Sequence, residues 1–172
     1  MRLLQTIKPE DVDSAALPHD YSTYTPRPAV RAVVFDGLSV GLILVQKHDY
    51  YMLPGGGIDT DEEQSAALIR ELHEELGCEV RITNEIGSIT IYNSRWCTKQ
   101  TDYCYTAELV QKTTARMPTA FETAEAHRVV WFDTIDEAIT HMRDAQPDNI
   151  DGKLVQARDL LFLETTKETS QQ

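Results

Sequence analysis

The stretch Leu53–Cys78, LPGGGIDTDEEQSAALIRELHEELGC, constrains this chain more than any other. A proline and three consecutive glycines lead into a run of good helix formers that stops at Gly77. In an α-helix of about 3.6 residues per turn, positions i, i+3 and i+4 share one face. Glu71, Glu74 and Glu75 therefore form a single acidic stripe. With Leu72 as the reference direction, Ser65, Leu68, Ile69 and Leu76 fall close around it, and the three glutamates follow around one side. The spacing predicts a helix with a buried apolar stripe and an acidic stripe beside it. Like charges at i,i+4 disfavour a helix by roughly a few tenths of a kcal/mol, so a purely structural helix more often alternates sign. Such a cluster of hard oxygens suits Mg²⁺ or Mn²⁺, with substrate phosphates completing the coordination. A solvated face is the other meaning three glutamates alone can have.

The segments flanking the stripe carry their own physical signals. Glycine admits φ > 0 and lets backbone approach a ligand without a Cβ. Gly55-Gly56-Gly57 can thus hold phosphate oxygens or leave room for a metal, or it can be an ordinary strand-to-helix turn. Thr60-x-x-Glu63 is a capping-box pattern that predicts the helix start there, with Asp61 and Glu62 near its positive end. Gly77 supplies the stop.

From Gly56 the chain reads glycine, five residues, Glu62, seven residues, then Arg70-Glu71-Leu72-His73-Glu74-Glu75-Leu76-Gly77-Cys78. This resembles the Nudix box, G-x5-E-x7-R-E-U-x-E-E-x-G-U with U aliphatic, and matches every fixed position. Cys78 stands at the last aliphatic position, where cysteine packs as a small hydrophobe. The resemblance implies an α/β fold, a Nudix-type α/β/α sandwich with a central mixed β-sheet and the box as a loop–helix–loop. It implies metal ligation by Glu71, Glu74 and Glu75 with the Gly56 backbone close by, and Mg²⁺, or Mn²⁺ in its place, as cofactor. Arg70 takes the role of the orienting arginine, and Glu62 that of a structural support. Family members place the general base within the box, here Glu71, or on a loop after the sheet, here Glu122 or Glu125. Arg70, Glu71, Glu74, Glu75 and Glu125 form the expected catalytic set. His73 and His127 read as surface or packing residues. Family members are often dimers, so a homodimer is an expectation for this chain.

The rest of the sequence agrees with an α/β arrangement. A short strand is expected over Arg2–Ile7, and a turn-rich connection over Pro9–Pro28 in which Tyr21 and Tyr24 either pack onto the domain, the favoured reading, or border a pocket. The β-branched run Ala29–Phe35, the Asp36-Gly37 turn and Val40–Gln46 read as a hairpin. Tyr50–Leu53 forms a short strand leading to the glycines. After the box, the second half of ITNEIGSITIY within Val80–Tyr92, then Gln100–Val110 and Arg128–Phe132 read as strands, with an irregular loop over Gln111–Ala126 that contains Met117-Pro118. Helices are expected from Thr134 to Arg143 and from Asp151 to Thr165. Strands before and after the box helix, followed by a closing helix, imply a mixed sheet between helical layers. At 172 residues one domain is expected: residues 1–28 packed on it, 29–165 its body, and 166–172 a polar frayed tail.

The net charge of −12 argues against a nucleic acid polymer as partner, since such binding rests on basic patches. A small phosphorylated nucleotide remains compatible where a divalent cation screens it. No apolar run approaches a membrane span, and the start MRLLQTIKPEDVD lacks a signal-peptide pattern. Cys78, Cys97 and Cys104 are odd in number and form no C-x-x-C, against a disulfide framework or zinc site. A cytoplasmic location is expected.

Specificity must come from outside the box. Gly55 and Gly56 are expected at the phosphates. Tyr92, Arg95 and Tyr103, with Trp96 and Tyr105 nearby, stand where a base can stack or a phosphate pair, although strand aromatics also serve as core. The expected reaction is Mg²⁺-dependent cleavage of the diphosphate linkage in a nucleoside diphosphate linked to another moiety, releasing a monophosphate. An ordinary or oxidised nucleoside triphosphate is the first substrate choice, and ADP-ribose or a nucleotide sugar the second. A non-catalytic sensor is disfavoured because Arg70, Glu71, Glu74 and Glu75 are all intact. A Ca²⁺ buffer lacks the Asp/Asn-rich loop such a site needs.

Overall fold

Among the described residues, seven strands form one mixed sheet with helices on both faces. The computed structural model describes residues 1–113 and 119–170. In chain order the strands are β1 (Leu3–Ile7), β2 (Thr25–Asp36), β3 (Ser39–Val45), β4 (Tyr50–Met52), β5 (Cys78–Asn93), β6 (Thr98–Lys112) and β7 (His127–Phe132). The helices are α1 (Pro9–Val12), α2 (Gln64–Leu76), α3 (Ala120–Ala124), α4 (Ile135–Asp144) and α5 (Ile150–Ser170). The sheet runs β1-β5-β6-β2-β3-β4, with β7 also pairing β3. The pairs β1–β5 and β2–β6 are parallel and the others antiparallel, which gives the expected mixed sheet.

Side chains alternate across a strand, so each face of the sheet has its own core. On one face Val30, Ala32, Val34 and Ala107 pack against Leu68 and Leu72 of α2. On the other, Val33, Leu42, Ile89 and Ile91 pack against Met142 of α4 and Leu154, Phe162 and Leu163 of α5. Each of the larger side chains, valine upward, contributes about 1.5–3 kcal/mol on burial, and together they fix α2 and α5 on opposite sides of β2.

Several boundaries differ from expectation. Strand β2 begins at Thr25 rather than Ala29, despite Pro26 and Pro28. Proline is tolerated where its missing N–H is not needed, and the Pro28 carbonyl still accepts from Ile58 N at 3.2 Å. Strands β5 and β6 are longer than expected at both ends. The segment read as one irregular loop over Gln111–Ala126 contains the end of β6 and helix α3, while Met117-Pro118 lies outside the described residues. Helix α5 runs on to Ser170 instead of fraying from Thr166, whose side chain is buried. The threonines of that last stretch satisfy their hydroxyls within the helix, Thr165 donating to Leu161 O at 2.7 Å and Thr166 to Phe162 O at 2.8 Å. Among the described residues no helix is long and apolar enough to cross a membrane.

Candidate active site

The loop from Leu53 to Ile58 is pinned along its whole backbone. Leu53 N donates to the Asp159 carboxylate at 2.9 Å. Ala32 N donates to Pro54 O at 3.0 Å and Val30 N to Gly56 O at 2.9 Å. Arg31 Nη1 donates to Gly55 O, and Gly55 N donates to Glu75 Oε2 at 2.7 Å. Gly55 has φ +133°, a conformation that L side chains rarely adopt, and a Cβ there would overlap the Val30 carbonyl. At Gly56 a Cβ would occupy the space of the Glu71 carboxylate. Glycine is therefore required by the backbone at Gly55, and Glu71 sits directly on the loop because Gly56 has no side chain.

Helix α2 begins at Gln64, with Glu63 as its uncapped N-terminal boundary, rather than at Thr60. The capping-box expectation fails because Thr60 and Asp61 form a turn, with Asp61 at φ +64°, and Glu62 is used elsewhere. The Glu62 carboxylate accepts from Asp59 N at 3.0 Å and, in a two-pronged pair, from Arg70 Nε and Nη2 at 2.9 Å each. Hydrogen bonding by Arg70 holds the Glu62 carboxyl down at about 2. Arg70 reaches on from that brace: Nη1 donates to Glu71 Oε1 at 2.8 Å and lies 3.7 Å from Glu74 Oε2, while Nη2 donates to Gly57 O at 3.1 Å. One guanidinium thus joins the loop to two of the three helix glutamates.

The buried stripe of α2 is rotated from the one expected. Ile69 is 49% exposed, whereas Glu75 is only 6% exposed. Burial pushes the Glu75 carboxyl up to about 8, against the pull of the Arg31 charge and the Gly55 N–H. Among the described residues, no three carboxylate, imidazole or thiol side chains already converge on one point. Glu71 is turned onto Arg70 and Glu75 onto Gly55 N. Even so, the donor set fits a hard divalent cation: Glu71 and Glu75 lie on the glycine loop at Gly56 and Gly55, and Arg70, bonded to Glu71, also pairs with Glu74.

A cleft of about 600 Å³ lies on the α5 face of the sheet, its walls including Arg27, Arg31, Tyr50, Asn93, Arg95 and Trp96. It adjoins the glycine loop through Arg31, which touches Gly55, and Arg27, whose Nη2 lies 3.5 Å from the position a Gly57 Cβ would take. Arg95 lines this cleft, paired with Asp151 at 3.1 Å and stacked 4.9 Å from the Trp96 ring centroid. Tyr92 and Tyr103 are not among its lining residues. Strand alternation sends Ile91, Asn93 and Gln100 to the α5 face and Tyr92 and Tyr103 to the other. Tyr92 joins an aromatic cluster with Tyr21, 4.6 Å between centroids, and Tyr24, 6.1 Å. Tyr103 packs beside the α2 core, and Tyr105 donates its hydroxyl to Gln64 at 2.6 Å.

The loop acids after the sheet are also accounted for. Glu125 pairs with Lys47 Nζ at 2.9 Å and His48 Nε2 at 2.7 Å, and the Lys47 hydrogen bond above all lowers its pKa. Glu122 caps α3 reciprocally with Thr119, although its charge reaches Glu75.

The sequence pattern did not single out Arg27, Arg31, Asp102, Arg158 or Asp159. Asp102 is fully buried and takes Arg31 Nε at 3.0 Å and Gln100 Nε2 at 2.9 Å, with Arg158 Nη1 3.1 Å away. Burial raises the Asp102 carboxyl, but the Arg158 and Arg31 charges and its hydrogen bonds outweigh burial and hold it below the usual range. Arg158 and Asp159, neighbours on α5, are bonded to each other at 2.6 and 2.9 Å. One signal was present: Arg31 is the single charge inside the apolar run AVRAVVF.

The model of the NUDIX domain matches residues 25–151. No curated protein sequence was found to match the chain. Among solved structures, the MutT protein from Methanosarcina mazei Go1 superposes with TM-score 0.62 at 15% identity, over 87% of this chain and 98% of that one. A UDP-X diphosphatase gives 0.58 at 17%, over 91% and 67%. An ADP-ribose pyrophosphatase from Streptococcus suis 89-1591 gives 0.53 at 20%, over 83% and 93%. These likenesses show a shared fold, and the match of the family model over most of the chain shows that it belongs to the Nudix family, as a Nudix hydrolase.

Proposed function

We propose that the protein hydrolyses the diphosphate linkage of a nucleoside diphosphate joined to another moiety, using Mg²⁺ or Mn²⁺, with an ordinary or oxidised nucleoside triphosphate as substrate. The observation that carries this reading is the Gly56–Glu71 contact. A glycine without a side chain, a carboxylate lying in the space so left, and Arg70 bridging Glu62, Glu71 and Glu74 together make an acidic rim beside a cationic cleft.

Glu71, Glu74 and Glu75 would hold the cation at the glycine loop. A divalent cation there neutralises phosphate charge and lowers the pKa of bound water. Arg70, anchored by its two bonds to Glu62, fixes the direction of Glu71 and Glu74 through charge-assisted contacts. Arg27 stands where the cleft meets the loop and faces substrate phosphate as a fixed cation. The proton of the attacking water goes to Glu71, which lies on the loop, rather than to Glu125, which is committed to Lys47 and His48. The non-phosphate moiety occupies the cleft, where Trp96, 59% exposed, offers a stacking face and Arg95 and Asn93 offer polar contacts.

A second reading, hydrolysis of ADP-ribose or a nucleotide sugar, draws support from solved structures of the same fold whose names are UDP-X diphosphatase and ADP-ribose pyrophosphatase. The test is a panel of nucleoside triphosphates, 8-oxo-purine triphosphates, nucleotide sugars, dinucleoside polyphosphates and ADP-ribose, assayed with Mg²⁺ for release of a nucleoside monophosphate. Highest kcat/KM on a triphosphate is expected. Preference for ADP-ribose or a nucleotide sugar establishes the second reading, and no turnover on any compound overturns both.

A further inference from the structure

The buried charges behind the loop have no place in the reaction just described, yet their geometry ends on it. Arg31 divides its guanidinium between two partners: Nε donates to Asp102 Oδ1 at 3.0 Å and Nη1 donates to Gly55 O. The N–H of the same residue, Gly55, donates to Glu75 Oε2 at 2.7 Å. Two residues earlier, Leu53 N donates to Asp159, which is bonded to Arg158, and Arg158 Nη1 lies 3.1 Å from Asp102 Oδ2. A continuous set of polar contacts therefore joins α5, β6 and β2 to the residue that orients Glu75.

Stability alone gives no reason for this arrangement. The side chains of Arg158, Asp102 and Asp159 are 1%, 0% and 0% exposed. Replacing a buried ion cluster by well-packed apolar residues is often neutral or stabilising, because desolvation offsets the Coulomb attraction. What apolar residues cannot do is aim a peptide group. Gly55, at φ +133°, has no side chain with which the loop could be packed in place, so hydrogen bonds at its two ends set its direction.

We infer that Asp102 and Arg31 are positioning residues for the cation site: Asp102 fixes the Arg31 guanidinium, Arg31 fixes Gly55, and Gly55 fixes Glu75. This rests on the metal role proposed above for the helix glutamates. Partners that orient metal ligands typically change metal affinity about 10- to 100-fold when mutated. Lysine at position 31 keeps a positive charge beside Asp102 but cannot bond Asp102 and Gly55 with a planar fork.

The experiment measures Mn²⁺ affinity of the full chain without substrate, by electron paramagnetic resonance or calorimetry, for wild type, Arg31→Lys, Asp102→Asn and Glu74→Gln, with cooperative thermal unfolding confirming the fold. Arg31→Lys is expected to fold and to bind Mn²⁺ about 10- to 100-fold more weakly, as is Asp102→Asn if it folds. Wild-type Mn²⁺ affinity in folded Arg31→Lys overturns the inference, whatever happens to Asp102→Asn. Glu74→Gln separates the two levels. Weakened binding there with unchanged binding in Arg31→Lys removes only the positioning role, whereas wild-type binding in Glu74→Gln removes the metal reading itself.

Discussion

Two charged clusters meet at the glycine loop and differ in almost every respect. The Arg70 cluster, with Glu62, Glu71 and Glu74, lies within 13 residues of chain at the rim, its side chains 16–36% exposed. The Asp102 cluster, with Arg31, Arg158 and Asp159, is assembled from three distant segments and almost wholly dry. Solvent screens the first, and a divalent cation can enter and exchange with its contacts. The second is sealed, so removing one partner strands a charge that water cannot reach. In the reaction proposed above the rim meets the ligand, and in the positioning role inferred above the interior holds the loop behind it.

The largest effect should come from breaking the sealed cluster. Asp102→Ala leaves Arg31 and Arg158 without their shared carboxylate and should lower stability by about 3–5 kcal/mol, measured by urea unfolding. A loss below about 1 kcal/mol would show that the arginines find other partners. Next, Gly56→Ala should leave stability nearly intact, because the new Cβ meets the end of the Glu71 side chain rather than backbone. It should nevertheless cut turnover about 100-fold, the size of effect that a displacement near 1 Å produces at a reacting group. Steady-state kinetics with wild-type unfolding midpoints would confirm the division between rim and interior, and equal losses of activity and stability would blur it.

The smallest effect is in pH dependence. Asp102 has its folded-state pKa lowered, so its contribution is present above the ordinary carboxylate value and is lost as pH falls below it. The stability gap between wild type and Asp102→Asn should therefore narrow as pH falls below the ordinary carboxylate value of about 4. The Arg70–Glu62 pair follows the same sign and persists until pH approaches about 2. A gap that widens in acid would contradict the direction assigned to Asp102.

The same contrast explains what could be read from the sequence. Spacing along one helix made the rim legible, since Arg70, Glu71, Glu74 and Glu75 relate to each other by helical geometry alone. The α/β class and mixed sheet were legible too, because strand and helix periodicities are local. The helix start was misjudged because Thr60-x-x-Glu63 imitates a cap, while the Glu62 carboxylate in fact braces Arg70, eight residues on. That Tyr92 and Tyr103 fall outside the cleft was not legible, because which sheet face carries the cleft depends on where α5 docks. The interior cluster was hidden for the same reason: Arg31 meets Asp102 across 71 residues, and Leu53 meets Asp159 across 106. Only the odd charge in AVRAVVF hinted at it.

Cation-dependent hydrolysis by the rim glutamates is the reaction proposed above. Its most direct test is the rate of monophosphate release from the best substrate of the panel, with Mg²⁺ present or removed by chelation, for wild type and Glu74→Gln. The wild type should turn over only with the metal, and Glu74→Gln, folded and with an unchanged unfolding midpoint, should be slower by about 100-fold or more. Turnover that survives chelation, or that is the same in Glu74→Gln, would contradict it.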